Sequence, residues 1–181
     1  MKREKFFYIG AMAVLAVVLV LTMWYKRPLN IWEVTGVAEP EEISISVTFV
    51  DGTADMEQRE LTLSAGDEGF DALLERLEEI QFRRPPTNLI RIALPFLSDW
   101  STGEKELEED DFTSLVIFLR QPVPDGDPVR GYVEFFVDQW SYRDFDRDVT
   151  LDLAVTDSKE TGQALCAELW EKAQPVQSDP E

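Results

Sequence analysis

The chain is predicted to be an α+β protein: a mostly antiparallel sheet of about six strands, two amphipathic helices packed on one face, and one N-terminal transmembrane helix ahead of them. Three observations predict this. Residues 6–25 carry no charge. Several later segments alternate apolar and polar residues at period two, as half-buried strands do. Two segments instead repeat apolar residues at helical spacing, and such stripes need one face of a sheet to bury them.

The span comes first. FFYIGAMAVLAVVLVLTMWY, residues 6–25, reaches about 30 Å as a helix, the thickness of a bilayer's hydrocarbon core. Phe6, Phe7 and Tyr8 at one end and Trp24 and Tyr25 at the other are placed as interfacial aromatic belts. The tail 1–5 holds Lys2, Arg3 and Lys5, while Lys26 and Arg27 follow the span. Positive charge therefore favours a cytoplasmic amino terminus and a C-terminal domain outside, in a single-pass cell-membrane protein. A cleaved signal peptide fits less well: the apolar run is long, and no small-x-small site closes it. Gly36-Val37-Ala38 has suitable sizes but lies too far on.

Residues 26–42 mix Pro, Gly and acids, and are expected to be a linker lifting the domain off the bilayer. The acidic domain proper is expected over 43–173. Ile43, Ile45, Val47 and Phe49 alternate with Ser44, Ser46 and Thr48 as a strand, and Arg59 to Leu63 returns beside it after Asp51-Gly52. Gly66 to Phe82 reads as a helix with Phe70, Leu73, Leu74, Leu77 and Ile80 inward. Ser64 or Asp67 is the expected cap, and Pro85-Pro86 the stop. Arg83-Arg84 then offers a basic contact point, or simply a cation suited to a helix C-terminus.

Leu89 to Leu94 reads as a further strand and Pro95 to Gly103 as a loop. The acidic run Glu104 to Asp111 is a solvated segment with at most loose ion association. Thr113 to Arg120 is apolar on both faces, the pattern of a central strand. Val129 to Asp138 and Val149 to Val155 alternate again, the former with Val137 inward. Ser158 to Ala173 closes the domain as a helix with Leu165, Cys166, Leu169 and Trp170 in its stripe, and 174–181 is expected to be a flexible tail.

Charge and composition limit the function. Of 17 basic and 36 acidic residues, five and one flank the span; the 12 and 35 that remain give the rest a net charge of −23. Such a domain repels nucleic-acid phosphates and anionic lipid heads and attracts metal cations or a basic partner, although the same charge also serves plain solubility. The chain has no His and one Cys, so Ser-His and Cys-His pairs, His-ligated zinc and an internal disulfide are all excluded. No Gly-rich phosphate loop appears, and no cofactor is implied.

Two candidate sites stand out. Asp144, Asp146 and Asp148 are spaced like the opening of a calcium loop, with oxygen ligands at positions one, three and five. Val149 and Val155 occupy the places where that loop needs Gly and a bidentate Glu, so a charged hairpin connection is the competing reading. Trp100, Trp140 and Tyr142, with Phe145, could form an aromatic ligand platform beside the acids, or be packing residues.

The basic start, the span, the Ile43–Phe49 strand and the helix over 67–82 together resemble the plan of small single-span proteins of unknown role from Gram-positive bacteria. The resemblance is one of architecture, and it carries over no functional residue. The expected function is a membrane-anchored, non-catalytic binding module held in lipid through residues 6–25, with a protein partner in the cell envelope. A cation-responsive sensor or buffer domain is the first alternative. A carboxylate-based hydrolase is the second.

Overall fold

The computed structural model describes residues 2–50, 56–85, 87–88, 111–122 and 128–176, with side chains described at 8 and 10 and from 12 onward. The α+β class and the mostly antiparallel sheet are as expected. The sheet has eight strands among the described residues rather than about six. They are β1 (Glu42–Val50), β2 (Met56–Ser64), β3 (Phe82–Arg83), β4 (Asp111–Arg120), β5 (Gly131–Phe136), β6 (Gln139–Asp144), β7 (Val149–Val155) and β8 (Gln174–Pro175). They lie in the order β3-β7-β6-β5-β4-β1-β2-β8, and every pairing is antiparallel.

Period-two alternation sorts the faces. Ile43, Ile45 and Val47 of β1, Leu115, Ile117 and Leu119 of β4, and Val133 and Phe135 of β5 are buried on one side. Over that face pack α2 (Ile31–Thr35), α3 (Phe70–Glu78) and α4 (Ser158–Trp170), contributing Ile31, Phe70, Leu73, Leu77, Leu165 and Leu169 to a single core. The opposite face is largely polar, with Ser44 against Thr62 and Gln58 bonded to Ser46. Arg76 on α3 bridges to Glu168 on α4 at 3.2 Å, so the two helices lie side by side.

Three departures from expectation have clear causes. The strand β6 falls where the sequence offered only an aromatic and acidic cluster. Its alternation is present, with Trp140, Tyr142 and Asp144 buried and Gln139 exposed. The helix expected over 66–82 is shorter: its N-cap is Gly69 without a side-chain bond, and Asp67 instead accepts from the Ser64 N–H. Its expected final residues leave the helix, and Phe82 enters β3. Part of the expected tail is also used, since β8 pairs with Arg59 and Glu60 of β2. The strand expected over 89–94 and the loop and most of the acidic run after it lie outside the described residues.

The segment expected as a linker is not one. Leu29, Ile31 and Val37 are buried core residues. Leu29 pairs with Phe82 in both directions at 2.8 Å, extending the β3 edge. Its Pro, Gly and acid content marks caps and turns rather than looseness. Asn30 and Glu33 form a reciprocal capping box at the start of α2, and Gly36 ends it at φ 70°.

The chain enters this domain from α1 (Lys2–Tyr25), a helix of 24 residues and about 36 Å. Every side chain from Met12 to Trp24 is exposed. Among the described residues no helix is long and apolar enough to cross a membrane; the unbroken run of described side chains in α1 covers 12–25, about 21 Å.

Candidate functional site

A cavity of about 460 Å³ opens at the foot of α1. That is the size range of small-molecule sites. Its walls come from separate segments: Tyr25 at the end of α1, Glu33 to Gly36 of α2 and its cap, Arg84 and Asn88 after β3, Arg130 before β5, Tyr142 and Asp144 of β6, Asp146 and Arg147 of the β6–β7 turn, and Leu151 and Leu153 of β7.

Each wall is fixed by local chemistry. The Tyr25 hydroxyl donates to the Pro85 carbonyl at 3.0 Å, tying the last turn of α1 to the chain beyond β3. Arg27 reaches Glu33 at 2.6 Å across the connection into α2. Thr35 bonds back to the Ile31 carbonyl at 2.9 Å, and the Tyr142 hydroxyl donates to the Thr35 carbonyl at 3.5 Å. The Arg130 guanidinium lies next to Gly36, at ordinary contact distance (3.6 Å) from where a Cβ would stand.

The β6–β7 turn is organised by Asp144. Its carboxylate is buried, accepts from the Arg147 N–H at 3.1 Å, and lies 3.8 Å from the Arg147 guanidinium. Asp148, at φ 51°, pairs with Arg143 instead. Asp tolerates this left-handed conformation better than most residues. The Tyr142 phenol is pushed up to about 12, first by burial and then by the charges of Asp144 and Asp146. It therefore stays protonated and acts as a donor at any physiological pH.

The sequence-predicted residues divide between roles. Tyr142, Asp144 and Asp146 all line the cavity. Asp148 points its charge at Arg143 on the turn. Among the described residues no three acidic or sulfur ligands come together to hold a metal ion. Trp140 is 1% exposed, packs against Phe82 and Phe135, and donates from its indole N–H to the Ser158 carbonyl at 3.3 Å. It is a core residue between sheet and α4, not an open platform. Trp100 lies outside the described residues.

The arginines were the part of the site hardest to read. Arg84 belongs to the basic contact point read from the sequence, but nothing local joins it to Arg130 or Arg147. Chemically the cavity offers guanidinium groups, a neutral phenol, the carboxylates of Glu33 and Asp144 engaged with cationic or N–H partners, and the exposed carboxylate of Asp146. That set can bind and orient a charged ligand. Among the described residues that line it there is no activated nucleophile, and the one thiol of the chain, Cys166, is buried on α4.

Comparison with family models, curated proteins and solved structures found no match for this chain.

Proposed function

We propose that the chain is a single-pass, membrane-tethered and non-catalytic binding module, with residues 6–25 in the lipid, the amino terminus in the cytoplasm and the acidic domain outside. The observation that carries this reading is α1. Its apolar side chains from Met12 to Trp24 are exposed all round the helix, and none of the described residues covers them. A helix apolar on every side is stable only inside a larger apolar medium. Its full length of about 36 Å exceeds a bilayer core of about 30 Å.

The domain then stands directly on the bilayer surface. Only Lys26, Arg27 and Pro28 separate Tyr25 from Leu29, which is already paired with β3. The Tyr25–Pro85 and Arg27–Glu33 contacts brace that junction. A ligand or envelope partner would thus meet a domain of defined orientation rather than one on a loose tether. Absence of His in the chain and the pairing of Glu33 and Asp144 support binding rather than catalysis.

Carbonate extraction of membranes from cells expressing the full chain tests the tether. The protein is expected in the pellet, and protease added outside the cell should remove the domain. Replacing Leu15 and Leu19 with Lys should release a folded domain into the soluble fraction. Wild-type protein recovered in the carbonate supernatant would overturn the reading.

A further inference from the structure

We propose that the cavity at the foot of α1 is a phosphate site, its ligand a phosphate monoester or diester held between Arg84 and Arg130. The charge of the cavity is the anomaly that points there. The chain as a whole carries −19, yet this one cavity gathers Arg84, Arg130 and Arg147. Its acids do not cancel them evenly. Glu33 is engaged by Arg27, from outside the cavity lining, and Asp144 is engaged by Arg147. Arg84 and Arg130 make no ion pair among the described residues. The remaining acid, Asp146, is exposed at the turn, where water screens it. Two guanidinium forks lining one cavity form a donor set suited to a tetrahedral oxyanion.

The bilayer is the nearest source of such a group. Tyr25, the last residue of α1, is itself a wall of the cavity. A phospholipid headgroup beside α1 is therefore presented to the cavity at high local concentration. A soluble anion must instead approach a strongly negative protein from solution. The lipid as source rests on the membrane-tethered reading above; the phosphate site does not.

The test uses the full chain, purified in detergent and stripped of lipid. Three probes separate the sources: phosphatidylglycerol and diacylglycerol with the same acyl chains, followed by native mass spectrometry, and inorganic phosphate, followed by calorimetry. Phosphatidylglycerol is expected to be retained and diacylglycerol lost. Retention should fall roughly tenfold or more in the double variant Arg84→Gln, Arg130→Gln, with an unchanged melting temperature. Arg120→Gln, which removes a cation paired with Glu42 outside the cavity, should change nothing. Binding of inorganic phosphate alone, lost in the same double variant, keeps the site and assigns its ligand to solution. Binding of neither phosphate probe, or equal binding by the double variant, overturns the proposal. Failure of the tether is read separately: the protein would leave the membrane in carbonate while the phosphate signal persisted.

Discussion

The side-chain amide of Asn88 pairs with both backbone groups of Asp152: Nδ2 donates to the carbonyl at 2.7 Å, and Oδ1 accepts from the N–H at 3.0 Å. β3 covers the edge of β7 only as far as Arg83 opposite Ala154. Asn88, 1% exposed, continues that edge with a side chain in place of a strand. Among the described residues no buried side-chain polar atom lacks a partner. Asn88→Ala would leave the Asp152 N–H and carbonyl without these two bonds. The expected loss is about 2 kcal/mol, read as a lower urea midpoint at unchanged m-value. Asn88→Asp should also destabilise, because a carboxylate cannot donate to the Asp152 carbonyl. A midpoint unchanged in both variants would show that this edge does not need closing.

The β5–β6 turn carries the second prediction. Val137 has φ 60°, and the Asp138 N–H donates across it to the Phe136 carbonyl at 2.7 Å, the closure of a γ-turn. That conformation is a genuine outlier for a β-branched residue and natural for Gly. Val137→Gly should therefore raise stability by about 1 kcal/mol, less whatever the larger freedom of the unfolded chain takes back. Thermal unfolding checks it, and a lower melting temperature would mean that the Val137 side chain packs better than its strain costs.

Val137 also shows where the sequence could and could not be read. Its β-branched side chain continues an alternating strand in the sequence, so the turn has no Gly, Asn or Pro to announce it. Ile43 to Val47 was legible because polar partners separate its apolar residues. β6 was hidden because Trp140, Tyr142 and Asp144 share one face, and two aromatics with an acid look like a site before they look like a strand. Leu29, Ile31 and Val37 were lost in a segment whose average composition is that of a linker, although individual residues decide burial. Of the cavity, Tyr142, Asp144 and Asp146 were singled out together because they are neighbours in sequence. Tyr25, Arg84 and Arg130 reach it only through the pairing of Leu29 with Phe82 and of β6 with β5 and β7, which no local pattern records.

Glu134 yields a pH prediction. It stands mid-strand on the outer face of the sheet, opposite Val116 on β4 and Ser141 on β6, neither of which offers a charge. Burial pushes its carboxyl above the ordinary value. The folded state then holds a proton more readily than the unfolded state. The destabilising effect is absent below the unfolded value, about 4.3, and grows as pH rises through the folded value. Glu134→Gln should therefore raise the melting temperature at pH 7 and leave it unchanged below about pH 4. An equal gain at both pH values would point to packing rather than ionisation.

Gly162 and Cys166 together make the packing of α4 measurable. A Cβ at Gly162 would run into the Phe135 ring on β5, so this helix position is Gly because the sheet lies too close for anything larger. One turn on, Cys166 is fully buried, and its thiol is pushed up to about 12, first by burial and then by the charge of Asp111. At pH 8 only about one thiol in 10⁴ would be ionised even if reagent reached it. The native protein should thus resist thiol labelling and react fully in denaturant. Gly162→Ala gains helix propensity of about 1 kcal/mol but forces α4 off Phe135, an overpacking cost of about 1–3 kcal/mol. The expected balance is net destabilisation with faster labelling of Cys166, because lifting α4 admits both water and reagent. A more stable variant with the labelling rate of the native chain would mean that Phe135 moves aside at little cost, and that contact between Gly162 and the ring does not set how closely α4 approaches the sheet.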